Sequence, residues 1–220
     1  MLNIAIPKGY LKKECIRLIE KAGYDTADLS KEDRRLFVFS GKRDIKYVIS
    51  RPMDVPVYVE YGACDIGFVG KDVLMEKESS VYELLDLGTG RCRLILATRK
   101  DCIDKVKDQY QHFGTIRVAT KYPNIAKKVF DQKGMQVEII KLHGSVELGP
   151  ILGIAEEILD ITATGQTLKD NDLVEMENII VSTTRLIANM VSYRVKHREL
   201  NEFVERIGRV LDEKQGQKKK

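Results

Sequence analysis

The stretch Glu156-Glu157-Ile158-Leu159-Asp160-Ile161-Thr162-Ala163-Thr164-Gly165-Gln166-Thr167-Leu168 decides how the rest of the chain is read. A short apolar run, Ile158 to Ile161, carries one acid and then breaks into Thr-Ala-Thr-Gly-Gln-Thr. This predicts a buried strand that delivers Asp160 to its carboxyl end, where ligands of open α/β sheets bind. The chain then turns into a helix opening near Gln166. Backbone N–H groups and hydroxyls gathered around a glycine at a helix start suit a phosphate dianion. An acid just before such a loop can accept hydrogen bonds from sugar hydroxyls. Acid, hydroxyl-rich glycine loop and helix together make a cup for a 5-phosphoribosyl group. A plain βα turn, with Thr164 merely capping the helix, satisfies the same residues, because glycine-rich turns are common at such junctions.

Working outward, strands are expected at 2–6, 36–39, 45–49, 64–70, 81–87, 91–98, 116–120 and 137–142. Helices are expected near 10–22, 53–62, 71–77, 101–112, 125–133 and 147–152, with one amphipathic helix closing the chain over 191–211. Strands and helices alternating at this spacing mean βαβ units and parallel sheet. Lys8, at the end of the first strand, is placed to reach a ligand, although a lysine in a turn is as readily a surface residue. Arg34, Arg35 and Arg51 bracket a hairpin whose turn is Gly41-Lys42-Arg43-Asp44. Planar guanidinium groups suit phosphates and can stack on a base, while a solvated surface arginine is the plain alternative. Glu147 opens a helix either as a capping acid or as a ligand contact. Gly67 permits close backbone approach, for packing or for a ligand.

Composition sets outer limits. The chain has 220 residues, 43% hydrophobic and 32% charged, ordinary for a soluble globular protein of one large or two modest domains. Its net charge is only +4, and Lys214, Lys218, Lys219 and Lys220 supply much of that excess. Residues 214–220 read as a disordered Lys-rich tail. With no aromatic-interleaved basic patch, no nucleic-acid partner is expected. The four cysteines show neither a close pair nor zinc spacing. Cys15 and Cys64 lie among apolar residues and read as buried free thiols, which points to a reducing compartment. No signal segment precedes the strand at Leu2 and no apolar run reaches the length of a membrane span, so a cytoplasmic protein without membrane contact is expected. The three histidines, His112, His143 and His197, form no base-plus-nucleophile arrangement.

In order and spacing, Glu147, Gly153, Ala155, Ile158, Asp160, Thr164, Gly165, Thr167 and Leu168 resemble the signature of the ATP phosphoribosyltransferase family, the first enzymes of histidine biosynthesis. Further blocks follow in the family's order. They are Ile4 to Gly9, Arg51 to Val59, Asp65 to Leu74, Gly90 to Leu94 and Arg117 to Asn124, so that the resemblance covers about residues 1 to 195. It implies an α/β fold of two lobes, each a mixed or parallel sheet with flanking helices. That architecture is periplasmic-binding-protein-like (type II), with two chain crossings. Lobe I would take 1–95 plus 185–213, and lobe II, with the phosphoribosyl loop, 96–184. The implied reaction is pentosyl transfer from phosphoribosyl pyrophosphate to N1 of ATP, releasing pyrophosphate.

By the same resemblance, Asp160, Thr162, Ala163, Thr164, Gly165, Gln166, Thr167 and Glu147 hold phosphoribosyl pyrophosphate. Lys8, Gly9 and Arg51 hold ATP, and Arg51 and Arg34 act in catalysis at the departing pyrophosphate. Tyr10 stands where the family usually continues with arginine. Mg²⁺ is expected on the substrate's phosphates, since it prefers them to an all-protein cage and no metal ligand is assigned to the chain. The length resembles the short form, which implies a homodimer of catalytic chains within a hetero-octamer. The other subunit is regulatory and related to the histidyl-tRNA synthetase core. The rival from another class is a two-lobed small-molecule sensor or binding protein without catalysis. It accounts for the βαβ pattern but not for the Glu147-to-Leu168 signature.

Overall fold

The computed structural model describes residues 1–31, 35–42 and 44–218, without the side chains at 105, 107, 109 and 214–218. Arg34, one of the two arginines expected in catalysis, lies outside the described residues. In chain order the elements begin with β1 (Leu2–Pro7), α1 (Tyr10–Lys21), β2 (Phe37–Phe39), β3 (Ile45–Ser50), α2 (Val55–Glu60), β4 (Ile66–Gly70), α3 (Lys71–Lys77) and β5 (Tyr82–Asp86). Next come β6 (Cys92–Arg99), α4 (Ile103–Phe113), β7 (Thr115–Thr120), α5 (Pro123–Gln132), β8 (Gln136–Lys141), α6 (Leu148–Ile151), β9 (Glu157–Thr162) and α7 (Gln166–Asp170). The chain closes with β10 (Leu173–Ser182), β11 (Thr184–Ala188), α8 (Met190–Val195) and α9 (His197–Lys218). These fold as two compact units, one of Met1–Gly90 with Thr183–Lys220, the other of Arg91–Ser182.

In the first unit the strand order is β2-β3-β1-β4-β11-β5. β1 runs parallel to β3 and β4, while β2, β11 and β5 pair antiparallel to their neighbours. Period-two alternation sorts β1 onto two faces. Ile4 and Ile6 pack with Leu18, Ile19, Phe203 and Ile207 of α1 and α9, and Ala5 packs with Val55, Val59 and Val73 of α2 and α3. Full burial of each such Ile, Leu, Val or Phe side chain is worth roughly 1.5–3 kcal/mol. Gly67 is explained by packing: a Cβ there would meet Val55 and Val59 of α2 at 2.8 and 2.9 Å.

In the second unit the order is β10-β6-β9-β7-β8. β7 is parallel to β8 and β9, whereas β6 is antiparallel to β9 and β10. The sheet is therefore mixed. Leu94, Leu96, Ile116, Val118 and Leu159 face α4 and α5 with Phe130, and Ile95, Ala97, Ala119 and Ile158 face the opposite side with Val146 and Leu168.

The closing helix differs from the single one expected. Asn189 caps α8 by accepting the N–H groups of Val191 and Ser192 at 3.0 and 2.8 Å. Helical geometry then breaks at Lys196 (φ −110°, ψ 34°), whose ammonium lies 2.7 and 2.8 Å from the buried carboxylate of Asp65. α9 continues past Leu211 to Lys218, because the residues beyond Leu211 are mostly good helix formers. The expected disordered tail is thus helical over 214–218. Cys15, Cys64 and Cys92 are buried free thiols and Cys102 is half-buried. Burial pushes the Cys15 and Cys64 thiols up, the latter to about 11, so neither is a reactive thiolate near neutral pH.

Candidate active site

β9 sets the geometry of the loop. Alternation puts Ile158, Asp160 and Thr162 on the side of α6 and α7. The ladder between β7 and β9 ends at the pair Thr120 and Leu159, so Asp160 is the first residue of β9 past the last β7 partner. It is half-buried, and its Oδ1 accepts the N–H of Ile161 at 2.8 Å. The sequence placed Asp160 at a strand end; it lies two residues short of that end, at the point where β7 leaves.

Beyond Thr162 the loop closes on its own hydroxyls. Thr162 Oγ1 accepts the N–H of Gly165 at 2.9 Å, and Thr164 Oγ1 accepts the N–H of Gln166 at 3.3 Å. Gly165 holds φ +77° at the head of α7, in the left-handed region that a side chain disfavours, and no atom lies within 4 Å of where a Cβ would stand. The following N–H groups belong to a first helical turn and have no acceptor one turn back. Ala163, Thr164, Gln166 and Thr167 are exposed around this opening. Gln166 is steered by its Nε2, which donates to Asp170 Oδ1 at 2.6 Å. The arrangement gathers the exposed Thr164 and Thr167 and a helix start at one point, which suits an anion.

Glu147 reaches the same side by a different route. It occupies the N-cap of α6, half-buried, and makes no side-chain capping hydrogen bond. Val146 beside it and Leu168 beside Thr167 both enter the cluster of Ile95, Ala97, Ala119, Ala155 and Ile158. Glu147 and the Thr164–Thr167 loop are therefore pinned to one face of one sheet.

In the first unit, Lys8, Gly9 and Arg51 stand at the carboxyl ends of the parallel strands β1 and β3. The ladder ends at Pro7 paired with Ser50, and Lys8 N–H donates to Ser50 O at 2.7 Å. Lys8 and Arg51 line one cavity of about 390 Å³, together with Lys46, Phe37 and Tyr58. The Lys46 ammonium sits 4.6 Å from the centre of the Phe37 ring. With one acid, Asp54, also in the lining, three cations around aromatic surface still leave a net positive cavity that suits a polyphosphate carrying a base. Sequence reasoning missed Lys46, Phe37 and Tyr58. The alternation of Ile45-Lys46-Tyr47, with Ile45 and Tyr47 buried, marks Lys46 as facing outward and could have found it. Tyr10 is 61% exposed, and its hydroxyl lies 3.5 Å from Gly90 O, over the turn that follows β5.

Among the described residues, no group of three or more His, Cys, Asp or Glu side chains is gathered to hold a metal ion. Nor is any helix among them long and apolar enough to cross a membrane.

Comparison with known proteins gives the family and the fold. The family described as "HisG: ATP phosphoribosyltransferase" matches residues 51–209. The ATP phosphoribosyltransferase of Rubrobacter xylanophilus is 47% identical over 94% of this chain and 95% of its own length. The solved ATP phosphoribosyl transferase (HisG:HisZ) complex from Thermotoga maritima contains a chain 37% identical, covering 97% of this chain and 100% of that one, with a TM-score of 0.81. The VFT2 domain of BvgS from Bordetella pertussis shares the fold alone, at 9% identity, a TM-score of 0.57 and coverage of 96% of this chain and 92% of that one. The fold is accordingly of the two-lobed periplasmic-binding-protein type, and the chain belongs to the ATP phosphoribosyltransferase family.

Proposed function

We propose that this chain transfers the 5-phosphoribosyl group of phosphoribosyl pyrophosphate to N1 of ATP, releasing pyrophosphate, the first step of histidine biosynthesis. The observation that carries the reading is the Thr162–Thr167 loop, with its open left-handed glycine at the head of α7 and exposed threonines around it, set just after Asp160. In the reaction the bond from adenine N1 to ribose C1 forms as the bond from C1 to the pyrophosphate oxygen breaks. Adenine N1 already carries a lone pair, so no side-chain nucleophile is needed, and the work lies in positioning and in charge neutralisation. Asp160 accepts hydrogen bonds from the ribose hydroxyls. Thr162 to Thr167, with Ala163 and Gly165 supplying backbone, hold the 5-phosphate, and Glu147 orients the same ligand. Lys8, Gly9 and Arg51 bind ATP, and Arg51 also offsets charge developing on pyrophosphate.

The half-buried carboxylate of Asp160, with hydroxyls nearby, fits a Mg²⁺ ion that arrives on the substrate's pyrophosphate. Bound there, the ion would neutralise charge on the leaving group. Likeness to the Thermotoga maritima complex supports assembly with a regulatory subunit, as a catalytic homodimer within a larger hetero-oligomer. A cytoplasmic location follows from the biosynthetic role.

The test is a coupled assay with purified chain, ATP, phosphoribosyl pyrophosphate and Mg²⁺, in which a pyrophosphatase removes product and adenine absorbance is followed. Turnover, alone or on adding the regulatory subunit, is the expected result. Tight binding of both ligands without product, regulatory subunit present, would instead favour a two-lobed sensor.

A further inference from the structure

The face of the second sheet opposite the phosphoribosyl loop carries a feature that the transferase reaction does not use. Glu157, the first residue of β9, lies between Thr98 of β6 and Val118 of β7 and is only 7% exposed. Alternation places it with Leu159 on the side of α4 and α5. Among the described residues its carboxylate accepts no hydrogen bond. It lines a cavity of about 350 Å³ walled by Leu96, Val106, Tyr110, Phe130, Met135 and Met176. Gln111, Lys133 and Glu177 also line it, the last two bonded to each other. Burial raises the Glu157 carboxyl to about 7, and the nearby Lys133 opposes that rise only in part.

The Glu157 carboxylate opens onto this cavity, where Lys133, itself bonded to Glu177, is the cation that acts on it. The carboxylate sits at the wall of an apolar chamber whose size is near the lower end for small-molecule sites. The apolar walls ask for a hydrocarbon or aromatic body. The Glu157 carboxylate asks for a cation or a strong hydrogen-bond donor at one end. An anionic ligand is disfavoured, because Glu157 and Glu177 would both face it.

We propose that this chamber binds a small organic cation, an amine or amidine carried on an aromatic or branched apolar body, with its charged end on Glu157. The site is independent of the nucleotide and sugar sites and lies wholly within the second unit.

The test uses the full chain and two probes of equal shape, benzylamine and benzyl alcohol, with no substrate present. Methionine methyl groups labelled with carbon-13 report by NMR, since Met135 and Met176 line the chamber and the other four methionines do not. Benzylamine is expected to shift the Met135 and Met176 signals and to bind at least tenfold more tightly than benzyl alcohol. In E157Q that preference should vanish, with benzyl alcohol binding unchanged. Equal affinity of the two probes for the unaltered chain would overturn the proposal without recourse to any variant. So would benzylamine shifts confined to other methionines, or an undiminished preference in E157Q.

Discussion

Asp160 and Glu157 are three residues apart on one strand and point to opposite faces, and single substitutions separate their roles. Asp160→Asn keeps the size of a half-buried side chain and removes its charge, so the melting temperature should hold while kcat/KM falls about 10²-fold, the range for losing one group that contacts the transition state. Full turnover in that variant would sink the assignment of the sugar-binding acid. Glu157 makes a pH prediction. Its folded pKa, about 7, lies above the ordinary 4.5, so folding favours the protonated form. The resulting stability is present at low pH and lost as pH rises from 4.5 through 7, amounting to about 3 kcal/mol at one unit per 1.36 kcal/mol. Lys133, Glu177 and Glu156 are the charged neighbours in that balance. Denaturant unfolding of E157Q and the unaltered chain should therefore diverge in favour of E157Q by about that amount between pH 4.5 and 8. Parallel pH profiles would contradict it. Asp160 was legible in the sequence because it interrupts an apolar run just ahead of a glycine loop. Glu157 was not, since nothing in Glu156-Glu157 says that the ladder starts on the second acid.

Among the elements, β1 to β9 could be read from their apolar runs and the helices near 71–77 and 125–133 from their periodicity, whereas β10 and β11 were not foreseen as strands. What the sequence concealed was long-range. The break between α8 and α9 has neither glycine nor proline to announce it; it exists because Lys196 turns aside to reach Asp65, 131 residues away in sequence. Asn189 is equally opaque, a 7% exposed residue whose amide also donates to Val59 O and Glu60 O at 2.8 and 3.0 Å. Replacing it with alanine removes a helix cap and leaves two carbonyls of α2 without this donor. Asn189→Ala should lower unfolding free energy by about 2 kcal/mol, combining a cap with a buried hydrogen bond. Guanidinium titration with an unchanged slope is the check, and a loss below about 0.5 kcal/mol would mean that the cap is dispensable.

At the scale of the whole molecule, the second unit is one uninterrupted segment, Arg91–Ser182, with its own two apolar clusters on either side of its sheet. Such a segment meets the conditions for folding alone. Excised, it should unfold cooperatively and still gain thermal stability from phosphoribosyl pyrophosphate, because the loop, Asp160 and Glu147 all lie within it. A fragment that folds but gains nothing from the ligand would show that the loop is insufficient for binding. The first unit permits no such excision, since its sheet is completed by β11, which sits between β4 and β5. The ribosome delivers β5 by Asp86 and β11 only from Thr184, after the whole second unit. At roughly 5–20 residues per second, the nascent chain carries an incomplete sheet for about 5–20 s, with β4 and β5 both lacking their shared neighbour. Translation speed across residues 91–182 therefore governs how long an unpaired strand edge faces the crowded cell, a hazard of self-association set by the order of strands along the chain rather than by final stability.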